Sequence, residues 1–167
     1  MDMTSLRLPI DPMPGESRLA TLAKLLPPTQ WDQVRRSAYR RASYRCQGCG
    51  CTGRLYCHEV WQFNPATGYQ WLRGFQALCE LCHETKHITF LHGGGRHDEL
   101  LRHFMQVNRL TRDEALSYVQ QAHARQRELD QRHWIVNFGD YNMRVPAVRD
   151  VEARRKYAAS YHPRYRV

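Results

Sequence analysis

Two Cys-x-x-Cys knuckles constrain this chain more than any other feature: Cys46-Gln47-Gly48-Cys49 and Cys79-Glu80-Leu81-Cys82, separated by residues 50–78. Thiolates two residues apart present both sulfurs to one ion, and two such pairs close a tetrahedral shell around zinc. A closed shell offers no position to a substrate. An ion held by Cys46, Cys49, Cys79 and Cys82 therefore builds structure. Structural zinc contributes about 10–16 kcal/mol of apparent binding free energy to folding. That matters here, because the segment the knuckles enclose is too small to bury much apolar surface. Of the six cysteines, Cys51 and Cys57 are left over. The paired spacing favours Cys46 and Cys49 as ligands over the adjacent Cys51.

The chain has 167 residues, enough for one domain with a core or for a small domain with long arms. Its formal net charge of +9 favours a polyanionic partner, most often nucleic acid, although a basic surface also serves solubility. No apolar run approaches the roughly 20 residues of a membrane span. Asp2 and Asp11 near the start, with no apolar segment between them, do not read as a secretory signal. The expectation is a cytoplasmic protein with no membrane partner, whose cysteines are zinc ligands and free thiols rather than disulfides.

The pattern along the chain divides into four parts. Residues 1–28 read as an irregular arm, with Pro9, Pro12, Pro14 and Gly15, followed by a short amphipathic helix over Ser17–Leu26. Residues 29–92 begin with a helix over 30–43, capped by Thr29, with Trp31, Val34, Ala38 and Ala42 on one face and Arg35, Arg36, Arg40 and Arg41 on the other. Strands follow over 55–61 and 69–78, joined by the turn Asn64-Pro65-Ala66-Thr67-Gly68, and Gly74 marks a bulge or loop in the second. A helix over 81–90 opens at the second knuckle. Residues 93–143 form a helical region. A Gly93-Gly94-Gly95 hinge leads to a helix over 98–107, and the capping box Thr111-Arg112-Asp113-Glu114 starts one reaching about Arg132. Trp134 to Phe138 reads as a short strand. Residues 144–167 form a basic tail with Tyr157, Tyr161 and Tyr165 at four-residue intervals, either a nucleic-acid arm or a docking segment.

Histidines cluster around the second knuckle. His83 and His87 are four apart on the expected helix and share one face. His58 lies on the strand that packs against it. Three imidazoles leave coordination positions open, and a metal with open positions acts as a Lewis acid on a phosphoryl oxygen. The bland reading, histidines satisfied in a core, is weakened by their place beside a zinc knuckle.

Here the sequence resembles a known family. Leu55-Tyr56-Cys57-His58-Glu59-Val60, then Ala77-Leu78-Cys79-Glu80-Leu81-Cys82-His83-Glu84-Thr85-Lys86-His87, with Tyr44-Arg45-Cys46-Gln47-Gly48-Cys49-Gly50 before them, resembles the HNH endonucleases of the ββα-metal fold in their zinc-knuckle variant. The likeness covers about residues 30–90. It implies an α+β, mostly helical chain with a small ββα-metal core stapled by the four-cysteine zinc site and flanked by helices. It implies that His58, His83 and His87 hold a catalytic divalent ion such as Mg, Mn, Ni or Zn. Glu59 falls at the position of the general base. A rival register pairs Cys57 with His58 and makes His58 the base. The family's middle Asn is expected at position 74, which is Gly here. Arg54, Arg73 and Lys86 are the nearest cations for DNA phosphates.

The expected function is a metal-dependent DNA endonuclease or nickase. The alternatives are a non-catalytic zinc-ribbon DNA-binding protein and an accessory subunit of a larger nucleic-acid complex. Double-strand cleavage by so small a nuclease needs two active sites, which implies a homodimer or a larger protein partner.

Overall fold

The computed structural model describes residues 6–15, 17, 21–91 and 94–141. They form an α+β arrangement of helices and one small three-stranded sheet. The basic tail at 144–167 lies outside the described residues.

Helix α1 is a single turn, Leu22–Leu25, and α2 spans Pro28–Arg41. Proline at the first helical position needs no amide partner, so Pro28 starts α2 earlier than a Thr29 cap implies. Val34 and Ala38 are its buried residues, as the apolar stripe requires.

Strands β1, Tyr56–Asn64, and β2, Tyr69–Leu78, pair antiparallel from Tyr56 opposite Leu78 to Asn64 opposite Tyr69. The turn follows from Asn64, whose Oδ1 accepts from the amides of Ala66 and Thr67 at 3.0 and 3.3 Å. The register shifts where Val60 faces Gly74 and Trp61 faces Leu72, leaving Arg73 as the extra residue. Gly74 has φ +155°, a conformation side chains resist, so the glycine makes the bulge. A third strand, β3, Ile135–Asn137, joins the free side of β2 in parallel.

Helix α3, Glu80–Lys86, starts at the second knuckle, with Cys79 as its N-cap. It ends sooner than the sequence pattern implies, and the chain continues as a 3-10 turn, Ile88–Phe90. Helices α4, Gly94–Asn108, and α5, Arg112–Asp130, follow, and the Thr111–Glu114 capping box is formed in both directions.

Three apolar clusters hold these elements. Ile88, Leu100, Leu101, Phe104, Tyr118, Val119 and Ala122 pack α3's end against α4 and α5. Leu22, Leu25, Leu26, Val34 and Phe138 pack α1 and α2 on the outer face of the sheet, with Trp61 and Phe75 beside them. The third, Leu8, Cys46, Leu78 and Cys82, surrounds the knuckles. The N-terminal arm has no regular structure, yet Leu8, Ile10 and Met13 are all buried, and Ile10 belongs to the helical cluster.

Candidate metal centres

The cysteine centre is assembled by the strand ends. Gln47 N donates to the Ala77 carbonyl at 2.9 Å, and Ala77 N donates to Gln47 Oε1 at 2.8 Å, so the first knuckle is fixed to the last residues of β2. The second knuckle begins two residues later. Within the first knuckle, Gly50 N donates to the Cys46 carbonyl and Cys46 N to that of Cys51. A Cβ at Gly48 would lie 2.7 Å from Cys82 Sγ. Only glycine permits that approach between the knuckles.

The thiol of Cys49 lies 3.7 Å from that of Cys79. A tetrahedron with zinc–sulfur bonds of about 2.3 Å has edges of about 3.8 Å, so the spacing fits two ligands of one ion. Cys46, Cys49, Cys51 and Cys79 have ligand atoms within 4.8 Å of one another, as do Cys49, Cys79, Cys82 and His103. The thiols of Cys46 and Cys82 also act on each other, holding Cys46 far below its ordinary range and driving Cys82 far above it. Sulfurs this crowded favour removal of protons by a cation. The four cysteines expected from sequence are thus together and could hold a metal ion such as zinc.

Two further donors adjoin them. Cys51 is exposed at the rim. His103 of α4 places Nε2 3.0 Å from Cys82 Sγ. Sequence reading passed over His103, although its spacing from Leu100, Phe104 and Val107 puts it on the apolar face of α4.

The histidine centre draws on His83 of α3, its C-cap His87 and His58 of β1. His58, His83 and His87 have ligand atoms within 4.8 Å of one another. Ring centroids are 5.5 Å apart for His58 and His83, 5.0 Å for His58 and His87, and 5.2 Å for His83 and His87. Burial lowers the pKa of His58, which is 2 % exposed, and lowers that of His83 to about 4. Neutral imidazole is the metal-ligating form. Tyr56 stacks on His83 at 5.7 Å and 10°, and Arg54 lies over the other ring partner of that stack, 5.3 Å from the Tyr56 centroid.

The candidate base is placed elsewhere. Successive strand residues face opposite sides of a sheet, so His58 faces α3 while Glu59 turns toward α1, where Oε1 accepts from Ala23 N at 3.4 Å. Burial pushes the Glu59 carboxyl up to about 7, and its Oε2 is buried with no hydrogen-bond partner among the described residues. The structure brings His58, His83 and His87 together and leaves Glu59 behind the strand.

Lys86 also departs from expectation. It is 3 % exposed and its ammonium donates to Asp11 Oδ2 at 3.0 Å, so as placed it offers no charge to a phosphate. It lies on the inward side of α3, against the arm. Arg54 is exposed near the histidines, and Arg73 is exposed in the β2 bulge. Asp11, which no sequence signal tied to this site, also bonds His58 Nε2 at 2.7 Å.

Comparison with protein-family models, with curated proteins and with solved structures finds no match.

Proposed function

We propose that this chain is a metal-dependent DNA endonuclease or nickase that hydrolyses phosphodiester bonds on an HNH-type unit at residues 29–92. The observation that carries the reading is the convergence of His58 from β1 with His83 and His87 from α3 and its C-cap, their donor atoms within 4.8 Å of one another. The fit to a metal is chemical. Three imidazoles suit Zn or Ni better than Mg or Mn, which prefer oxygen. A divalent ion bound there supplies Lewis-acid chemistry at a phosphoryl oxygen.

The chain's own residues bind and orient. His58, His83 and His87 offer neutral nitrogens. Tyr56 stacks on the His83 ring, and its contact with Arg54 keeps that guanidinium near the centre, where it would meet a bound phosphate. The cysteine centre holds the ends of β2 and α3 in register, so two of the three histidines inherit their placement from it. The net charge of +9 draws a polyanion to the surface.

A second reading, a DNA-binding or accessory module without hydrolysis, draws on the placement of Glu59 behind β1 and on Gly74 where the family's Asn is expected. Supercoiled-plasmid conversion decides between the two. With Mg, Mn, Ni or Zn ions, the wild-type protein is expected to nick or linearise plasmid and His83→Ala to lose at least 100-fold of the rate. Intact plasmid with every ion, alongside salt-sensitive DNA binding, would establish the second reading.

A further inference from the structure

The N-terminal arm carries one group that the nuclease reading does not use. Asp11 Oδ2 sits between two buried partners, His58 Nε2 at 2.7 Å and Lys86 Nζ at 3.0 Å. The Asp11 amide donates to the Lys86 carbonyl at 2.9 Å, so backbone and side chain of the same residue are both fixed to the end of α3. The arm around it is held at several points. Leu8 and Ile10 are buried on either side of Pro9, and Met13 follows Pro12. The side chain of Asn108, at the end of α4, brackets the Leu8 backbone, accepting from its amide at 2.9 Å and donating to its carbonyl at 3.0 Å. A loose tail needs none of these contacts.

The chemistry of the contact is directional. A carboxylate only accepts hydrogen bonds, so Nε2 of His58 must carry the proton that is shared with Asp11. A neutral imidazole carries one proton, which leaves Nδ1 as the lone-pair nitrogen. His58 is 2 % exposed, so water does not compete to rotate the ring or exchange its tautomer. Metal-ligating histidines commonly have their second nitrogen bound to a carboxylate in this way. Lys86 supplies the charge that lets a carboxylate sit beside buried imidazoles.

We propose that Asp11 is a positioning residue of the histidine centre: by accepting the Nε2 proton of His58 it fixes the ring and its tautomer so that Nδ1 is offered to a divalent ion, which makes the N-terminal arm a working part of the metal site. This rests on the reading of His58, His83 and His87 as metal ligands, though not on DNA cleavage.

The test uses the full chain with its cysteine zinc in place. Two-bond nitrogen–proton imidazole spectra of the wild-type protein without metal at the histidines are expected to show His58 protonated on Nε2. In Asp11→Ala the tautomer is expected to become mixed, and Ni2+ affinity at the histidines to fall about 10–100-fold. Because Asp11→Ala strands the Lys86 ammonium, Asp11→Ala/Lys86→Met is measured beside it and is expected to lose the same affinity with its fold intact. Lys86→Met alone is expected to keep the Nε2 tautomer and most of the affinity. A wild-type His58 protonated on Nδ1 overturns the proposal, and so does a folded double variant that binds Ni2+ as the wild type does. Plasmid cleavage is a separate readout. A protein that fails to cut but shows the Nε2 tautomer and Asp11-dependent Ni2+ binding supports the clamp while the nuclease reading falls.

Discussion

The two candidate metal centres share one short helix yet are built on opposite plans. The cysteine centre gathers its donors from two knuckles, each local in sequence, with His103 and Cys51 at its edge, so it has more donors than one tetrahedral ion needs. The histidine centre has three donors and draws its support from far away, through Asp11 of the arm and Tyr56 of β1. On the proposed reading the first plan would close a shell and stabilise the fold. The second would leave coordination positions open and depend on orientation of the rings. Loss of a ligand should therefore read out as unfolding in one centre and as lost metal chemistry in the other.

The sharpest separation comes from Cys79→Ser. It removes a candidate zinc ligand and alters the N-cap of α3, and it is expected to lower stability by several kcal/mol, a large part of the roughly 5–15 kcal/mol typical of a domain. Chemical denaturation with zinc retained in the wild type checks it. A variant as stable as wild type breaks the distinction between the centres.

Glu59→Gln has a pH signature. The folded-state pKa of Glu59 is raised by burial from 4.5 to about 7. The protonated form is thus the one the fold accepts, and stability contributed below pH 4.5 is lost as pH rises toward 7. The difference corresponds to about 3 kcal/mol at pH 8. The glutamine variant is expected to gain up to that amount at pH 8 and almost nothing at pH 4, measured by denaturant midpoints. Its nicking rate is expected to stay within about threefold of wild type, since Glu59 lies behind the strand; a loss of about 100-fold or more, in the range of general-base catalysis, would restore it as the base.

Gly48→Ala tests the closeness of the knuckles. With a Cβ at 2.7 Å from Cys82 Sγ, the expected loss is about 1–3 kcal/mol and weaker zinc retention against a chelator. The smallest effect belongs to Arg54→Ala, expected to weaken DNA binding by about 1 kcal/mol and to reduce the salt dependence by about one ion. Unchanged affinity would move the DNA path away from Tyr56 and His83.

Much of this was legible in the chain because it was local. Paired cysteines, the His83–His87 spacing, the Asn64 turn, the Gly74 bulge and the Thr111–Glu114 box each need only a few neighbouring residues, and each is present in the structure. What escaped was long-range. Lys86 sits in a cationic-looking helix but is claimed by Asp11, 75 positions earlier, and nothing in either segment announces the other. Glu59 follows His58 directly, and only strand alternation with α1 on the far side shows that the two part company. His103 was hidden among apolar neighbours, where a histidine reads as core.

Metal stoichiometry by native mass spectrometry, on wild type and His83→Ala, tests the two-centre account most directly. Zinc-loaded wild type is expected to bind a second divalent ion, and His83→Ala to retain the cysteine-held zinc and the fold while losing the second. One ion per chain in both proteins, under saturating Zn, Ni and Mn, would contradict the account and leave a chain with a structural centre alone.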